Sequence, residues 1–134
     1  MFSLLLAIAM SCSASTSARV PMLTVSTELT LFQPGDSIEV RLGNLADEPL
    51  EYPYCGWRLL RFDGRAWKTV PADSSLPPCV DRLDLLPPRT TALVWAHLGA
   101  AGTSAIHRLV FTAYDASDQL LPEEERTSNP FRIQ

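Results

Sequence analysis

Apolar and polar residues alternate along much of the chain after residue 22. Over residues 23–31, LTVSTELTL, leucine, valine or threonine occupies every second position, and polar residues fill the positions between. A period of two is that of a β-strand with one buried face. The sequence therefore predicts a strand over residues 23–31, ended by the turn-forming residues Gln33-Pro34-Gly35-Asp36.

The same alternation returns twice before residue 55, over residues 38–42 and 50–54. The next stretch, WRLLRFDGRAWKTV at residues 57–70, has two apolar arms on either side of Asp63-Gly64. This dipeptide favours positive φ and is typical of a tight hairpin turn. Two further strands are expected there.

Prolines mark the segment that follows the predicted hairpin. Residues 71–82, PADSSLPPCVDR, contain three of them, which excludes a helix interior and a central strand and predicts an irregular loop. Residues 91–98 are apolar on both faces, as expected of a buried central strand. Residues 106–114 and 131–133 look like further strands, separated by a long exposed connection over 115–129.

No apolar stripe of helical period is sustained for more than two turns, and no internal repeat is visible. Short strands separated by turn signals favour an all-β fold, namely an immunoglobulin-like antiparallel β-sandwich of about 7–9 short strands. With 134 residues, the chain has room for one such domain, expected over residues 23–134. Its net charge of -4 gives no positive field that would attract nucleic acid.

The first residues have the pattern of a signal peptide. The apolar run over residues 2–10 is about nine residues long, whereas a membrane-spanning helix needs about twenty. Small residues follow at 11–15, as a signal peptidase requires. We therefore expect residues 1–11 to be removed. Because no lysine or arginine precedes the apolar run, a natural start upstream of Met1 stays open.

Ala9-Met10-Ser11-Cys12 resembles the lipobox of bacterial lipoprotein precursors. The resemblance implies that Cys12 is lipidated and becomes the new N-terminus, and that residues 12–22 form a flexible tether between membrane and domain. In a cell with two membranes, Ser13 would by the same resemblance favour the outer membrane. The alternative is ordinary secretion of a soluble domain, with cleavage after Ser15 or Ala18 and loss of Cys12.

Either course removes Cys12 from the thiols of the folded domain and leaves Cys55 and Cys79. An even number of cysteines in an exported chain predicts a disulfide, because the compartment is oxidising. No Cys-x-x-Cys spacing favours a redox or metal role for this pair.

Residues 29–52, LTLFQPGDSIEVRLGNLADEPLEY, resemble the opening of bacterial immunoglobulin-like domains, including those named after an intracellular proteinase inhibitor. Residues 86–90, LPPRT, are similar to the Leu-x-Pro-Gly step before a middle strand of such domains, with Arg89 standing where that pattern has glycine. The resemblance implies the sandwich fold. It also raises proteinase inhibition as an alternative function, with residues 72–79 as the bait loop.

Residues suited to catalysis or metal binding are sparse. His97 and His107 fall on neighbouring predicted strands, but two ligands are too few for a closed metal site. No Gly-x-Ser-x-Gly elbow, phosphate-binding loop or nucleic-acid-binding motif occurs. We therefore expect no enzyme activity, no catalytic residue, no metal and no cofactor.

Aromatic residues are the remaining candidates for function. Trp57 and Trp95 are expected in the core, whereas Trp67, beside Arg65 and Lys68, is expected to be partly exposed. Trp67, Arg65, Pro77 and Pro78 form the candidate binding surface. The sequence therefore favours a non-catalytic binding or assembly module of the cell envelope, whose partner is another envelope protein or a glycan. Its oligomeric state is left open.

Overall fold

A computed structural model describes residues 19–76, 78, 79, 82–101 and 104–134. The predicted signal peptide, Cys12, most of the tether and Pro77 lie outside these residues. Within them the chain forms two short 3-10 helices, Gly99–Ala101 and Glu123–Arg126, and ten strands: β1 Leu23–Thr27, β2 Leu31–Phe32, β3 Ser37–Asn44, β4 Leu50–Pro53, β5 Trp57–Phe62, β6 Trp67–Thr69, β7 Leu83–Leu86, β8 Thr91–His97, β9 Ala105–Phe111 and β10 Phe131–Ile133.

The strands form two main sheets and a small ribbon. One sheet has three strands in the order β1-β3-β8, and the other has five in the order β2-β10-β9-β5-β6. Neighbours pair antiparallel except β2, which runs parallel to β10. Strands β4 and β7 form a separate antiparallel ribbon. The first segment of the domain contributes β1 to one sheet and β2 to the other, and the two sheets face each other. This arrangement is that of an immunoglobulin-like β-sandwich, so the predicted fold class is confirmed.

A single hydrophobic core lies between the two sheets. The three-stranded sheet contributes Leu23, Val25, Ile38, Val40, Leu42, Val94 and Ala96, and the five-stranded sheet contributes Phe32, Leu59, Leu109, Phe111, Phe131 and Ile133. On each strand these residues recur at every second position, because successive side chains of a strand point to opposite faces. Trp57 is half-buried and packs against this cluster.

The single strand predicted over residues 23–31 is wrong. The chain pairs with β3 as far as Thr27, bends, and then pairs with β10 as β2. Asn129 holds the bend, since its Oδ1 accepts from the Thr27 N–H at 2.8 Å and its Nδ2 donates to the Thr27 hydroxyl at 2.9 Å. Crossing between sheets changes the phase of the alternation, so Leu29 and Leu31 are exposed although the pattern placed them with the buried residues.

The buried central strand predicted over residues 91–98 is also wrong. Strand β8 lies at the edge of its sheet and only one of its faces meets the core. Val94 and Ala96 are fully buried, whereas Trp95 on the other face is 45% exposed. The placement of Trp95 in the core therefore fails, because an apolar side chain follows the pleat even when that face is open to solvent.

The turn between β7 and β8 explains the departure of Arg89 from the glycine-containing pattern. Arg89 has φ 58°, the left-handed conformation in which glycine is usual, and the Thr90 N–H donates to the Pro87 carbonyl at 3.3 Å. The Arg89 side chain reaches across to Asp47, with its Nη2 2.9 Å from Oδ1. Arg89 therefore adopts the backbone conformation expected of the glycine in that pattern, although its side chain is different.

The connection over residues 115–129 is more closely packed than the sequence suggested. Leu121 and Ser128 are buried, and the Ser128 N–H donates to the Leu109 carbonyl at 2.8 Å. Arg126 donates from Nε to the Leu121 carbonyl and from Nη1 to the Phe111 carbonyl, both at 2.7 Å. These bonds hold the connection along β9.

The hairpin predicted around Asp63-Gly64 is confirmed: β5 and β6 pair antiparallel, with Phe62 opposite Trp67. Gly64 has φ 94°, the conformation for which glycine is suited. Strand β4 ends at Pro53, one residue earlier than the alternation predicted, and Tyr54 is partly exposed. The described residues contain no helix of the length and hydrophobicity needed to span a membrane.

Candidate functional site

The outer face of the five-stranded sheet carries the most distinctive cluster of exposed side chains. Cross-strand register places Phe62 opposite Trp67, Leu60 opposite Arg108, and Arg132 opposite both Ile106 and Leu31. Residues directly opposite one another share a face of the sheet. We call this surface the arginine–aromatic face; its members are Leu31, Arg58, Phe62, Trp67, Ile106, Arg108 and Arg132.

Trp67 contacts both Phe62 and Arg108 on this face. Its ring centroid is 5.3 Å from that of Phe62, with the two planes tilted by 45°. The guanidinium carbon of Arg108 lies 4.2 Å from the Trp67 ring centroid, which is cation–π geometry. Trp67 is half-buried and Phe62 is 37% exposed, so the cluster is both held in place and accessible.

All charged residues at the strand positions of the arginine–aromatic face are arginines. Although the chain has a net charge of -4, no aspartate or glutamate occupies an outward position on these five strands. Arg58 is paired with Glu123 at 2.7 Å. Among the described residues neither Arg108 nor Arg132 forms an ion pair, and the buried Nε of Arg108 has no hydrogen-bond partner.

The tight turn before β6 sets the direction from which Trp67 enters the sheet. Asp63 Oδ1 accepts the backbone N–H groups of Arg65 and Ala66 at 2.8 and 2.9 Å. These backbone hydrogen bonds hold the pKa of Asp63 below its usual value. Arg65 is exposed in this turn, at the edge of the arginine–aromatic face.

Pro78 lies at the other end of β5 from Arg65. Its neighbour Cys79 forms a disulfide with Cys55, two residues before β5 begins, with the two Cα atoms 6.0 Å apart. Because a strand advances roughly 3.3 Å per residue, the length of β5 separates this disulfide from the turn. The structure therefore does not bring Pro78 together with Trp67 and Arg65, and Pro77 lies outside the described residues.

A cleft of about 890 Å³ opens beside the disulfide. Its polar lining comes from Glu51, Thr112, Tyr114 and Asp118, and its apolar lining includes Leu83. Two of the lining residues are joined by a reciprocal backbone pair, in which Glu51 and Tyr114 exchange N–H···O bonds of 3.0 and 2.8 Å. The described residues contain no group of three potential metal ligands, in this cleft or elsewhere.

The loop between β6 and β7 is tied down before it reaches the disulfide. Asp73 accepts the Ala100 N–H at 2.7 Å and also accepts from the backbone and hydroxyl of Ser75. The Ala100 hydrogen bond is the largest of the effects that lower the pKa of Asp73. Two points of attachment, at Asp73 and Cys79, thus enclose the segment that the sequence suggested as a bait loop.

The sequence suggested that the two histidines lie on neighbouring strands. In the structure β8 and β9 belong to different sheets, so the two side chains do not meet. His97 is exposed on β8, where its Nδ1 lies 2.7 Å from the Ser37 hydroxyl. His107 is fully buried on β9 in the other sheet and stacks beside Phe131, with ring centroids 6.2 Å apart. Burial is the main cause that lowers the pKa of His107.

Sequence reasoning singled out Trp67 and Arg65 but missed Phe62, Arg108 and Arg132. A signal for Arg108 was present, since Ile106 and Arg108 alternate with the buried His107 and Leu109 on β9. The partnership of Arg108 with Trp67 was not visible, because β9 and β6 do not pair directly and only β5 places them near each other.

Comparisons with known proteins identify no family for this chain. No family model matches the chain, and the search of curated proteins returned no match. Among solved structures, the chain is similar to the ASH / PapD-like domain of human CEP192 (PapD-like domain 7), at 12% identity and a TM-score of 0.41 over 95% of this chain and 94% of that one. It is also similar to the X-ray structure of Northeast Structural Genomics Consortium target SoR45, at 14% identity and a TM-score of 0.44 over 82% of each chain.

Proposed function

We propose that this protein is a non-catalytic protein-binding module and that the arginine–aromatic face is its binding surface. The observation that carries the proposal is the cluster of Trp67, Phe62 and Arg108, which is partly open to solvent. Tryptophan and arginine are enriched among the residues that contribute most to binding energy at protein interfaces. Side chains already held in one geometry lose little entropy when a partner docks.

The charge of this face indicates the chemistry of its partner. Arg108 and Arg132 have no carboxylate partner among the described residues, so an acidic side chain could pair with them without breaking an existing ion pair. The exposed apolar side chains of Leu31 and Phe62 favour a partner that also buries hydrophobic surface. A protein segment with both acidic and apolar side chains meets these requirements.

A glycan partner fits this face less well. Sugars bind tryptophan by stacking a flat face of the ring against their C–H groups, which requires an open ring face. The Arg108 guanidinium covers one face of Trp67 at 4.2 Å, and Phe62 leans against the same ring. We therefore favour a protein over a glycan.

Affinity capture from cell-envelope extract tests the binding surface. The wild type is compared with Arg108→Gln and Trp67→Ala, and with Leu85→Ser as a matched control on β7, where Leu85 is 60% exposed. Proteins retained by the wild type and by Leu85→Ser should be lost with both face variants, and their retention should fall as salt rises. Equal retention by all four proteins would reject this face as the binding surface.

We further propose that the module is attached to the bacterial cell envelope by a lipid on Cys12, at the outer membrane where two membranes are present. The support is the Ala9-Met10-Ser11-Cys12 stretch and the apolar run before it. Metabolic labelling with a palmitate analogue should mark the wild type and not Cys12→Ala. An unlabelled wild type would instead favour the secreted, soluble form.

Proteinase inhibition is the second candidate function, favoured by the two attachments of the loop at Asp73 and Cys79. A loop fixed near both ends can enter a protease with a small loss of entropy. The purified domain should then inhibit at least one protease of a panel. Substitutions within residues 74–78 should abolish that inhibition. No inhibition at micromolar domain would exclude this function.

A further inference from the structure

Strand β8 presents an unprotected edge. Its sequence, TALVWAH, contains no proline, lysine, arginine, aspartate or glutamate. Natural sheets usually protect an edge strand with such residues, because unpaired backbone groups are a template for another strand. Within the described residues β8 pairs only with β3, and its seven residues make it longer than the edge strands β1, β2 and β6.

The hydrogen-bond pattern shows which backbone groups face this edge. The Asn44 N–H donates to the Thr90 carbonyl at 2.9 Å, and these residues lie directly opposite each other in continuation of the β3–β8 ladder. In an antiparallel ladder, hydrogen-bonded pairs alternate with pairs that do not bond. The β8 residues that bond to β3 are therefore Ala92, Val94 and Ala96.

It follows that the N–H and C=O groups of Leu93 and Trp95 point away from β3. Among the described residues, no backbone hydrogen bond joins either residue to another strand. Both residues are also exposed, Leu93 by 54% and Trp95 by 45%, with their side chains on the outer face. The edge thus combines free backbone groups with two large apolar side chains.

We propose that β8 pairs antiparallel with β8 of a second copy of the chain, around a two-fold axis at Val94. In this register Leu93 lies opposite Trp95 of the second copy, and Thr91 lies opposite His97. The outward backbone groups of both strands then face each other and can form about eight hydrogen bonds. The two three-stranded sheets join into one continuous sheet of six strands.

The sequence of β8 favours a second copy as the occupant. The register around Val94 places an exposed leucine against an exposed tryptophan on both sides of the axis, and no like charges meet. A shift of two residues in either direction would set Leu93 against Leu93 or Trp95 against Trp95 and leave one end of each strand unpaired. Two-fold self-complementarity of this kind is what an isologous dimer requires.

The joined sheets leave the arginine–aromatic face free, because it belongs to the other sheet. Self-association is therefore independent of the proposed partner binding, and either can fail without the other.

Sedimentation of the purified protein over a range of concentrations tests the pairing. We expect a monomer–dimer equilibrium that is detectable below about 1 mM. The double variant Leu93→Lys with Trp95→Lys should be monomeric, because each lysine then meets a lysine of the second copy. Leu93→Lys with Trp95→Glu should dimerise again, because the register sets opposite charges face to face.

The matched control is Leu83→Lys with Leu85→Lys, which changes two exposed leucines at the same spacing on β7. It should dimerise like the wild type. A monomeric wild type, a dimer that persists with two lysines in β8, or a lysine–glutamate variant that stays monomeric would each overturn the proposal.

Hydrogen exchange of the wild type provides a second measurement that does not depend on the folding of any variant. The amides of Leu93 and Trp95 should exchange more slowly as protein concentration rises, while those of the exposed edge strand β6 should not change. Exchange at Leu93 and Trp95 that is independent of concentration would contradict the pairing.

Discussion

At the residue scale, Asn44 joins two turns at one end of the three-stranded sheet. Its side chain is buried and its Nδ2 donates to the carbonyls of Glu48 at 2.8 Å, Leu86 at 3.0 Å and Pro87 at 3.2 Å. Its Oδ1 accepts the Ala46 N–H at 2.9 Å. An asparagine satisfies this set because it carries both a donor and an acceptor.

Replacing Asn44 should therefore be costly. Asn44→Ala leaves the buried carbonyl of Leu86 and the Ala46 N–H without this partner, and we expect the free energy of unfolding to fall by about 3 kcal/mol. Asn44→Asp should also destabilise, because it keeps the acceptor but sets an oxygen against carbonyl oxygens. Urea unfolding measures both, with Gln33→Ala on the surface as the control. Equal stability of Asn44→Asp and wild type would contradict this account.

His107 makes stability depend on pH. A carbonyl can only accept, so the Nδ1 of His107 donates to the Ala105 carbonyl at 3.1 Å, and its buried Nε2 has no partner among the described residues. Burial, with a smaller effect of the nearby positive charge of Arg61, lowers the pKa of His107 below the ordinary 6.5. Below about pH 6.5 the unfolded chain therefore binds a proton that the folded protein does not.

The free energy of unfolding should then decrease as the pH falls from about 6.5 toward the lower pKa of folded His107. His107→Phe, which cannot titrate and can still pack beside Phe131, should have a shallower slope over this range. Thermal unfolding at a series of pH values measures the difference; parallel curves for wild type and His107→Phe would show that His107 is not the cause.

At the scale of elements, the connection before β10 depends on one half-buried cation, Arg126. Arg126 bonds two carbonyls, and the same connection holds the start of the domain, where Glu125 pairs with Arg19 at 2.8 Å and accepts the Met22 N–H at 3.2 Å. Burial lowers the pKa of Arg126, which stays charged at neutral pH. The acidic run at residues 123–125 is thus partly structural.

Arg126→Met should loosen this connection. Loss of hydrogen bonds from a charged donor to two carbonyls is expected to reduce the free energy of unfolding by about 2–3 kcal/mol. Limited proteolysis should also cut within residues 115–129 sooner than in the wild type. Arg41→Met, at an exposed position of β3, is the control and should change neither result. An Arg126→Met variant as resistant as the wild type would show that the connection is held by other contacts.

At the scale of the whole molecule, the disulfide closes a loop of 24 residues that contains β5, β6 and the Pro-rich segment. It connects Cys55, two residues before β5 begins, to the segment that leads into β7. Such a link acts mainly by restricting the unfolded chain.

Cys55→Ser with Cys79→Ser should lower the free energy of unfolding by about 3.5 kcal/mol, the value expected for a loop of this length. Reduction of the wild type should have the same effect and should not change the double variant. Chemical unfolding with and without reductant makes the comparison. If reductant left the wild type unchanged, the disulfide would be absent in solution or without effect on stability.

Much of the fold was predictable from local patterns. The alternation over 38–42, the turn at Asp63-Gly64 and the last strand over 131–133 each depend on neighbours in sequence, and the structure confirms them. The candidate site was only partly predictable. Trp67 and Arg65 stood out as residues, but the arginine–aromatic face exists only because β9 lies next to β5.

The sequence by itself indicated that this is an all-β chain of short strands, where most turns lie, and that Cys55 and Cys79 form a disulfide. These features follow from the period of two, the φ preferences of glycine and proline, and residue counting. Only the tertiary structure decided that residues 23–31 divide between two sheets, that Trp95 faces solvent, and that Arg108 covers Trp67. The reason is physical: a period of two defines two faces of a strand, but which face is buried depends on the sheet packed against it.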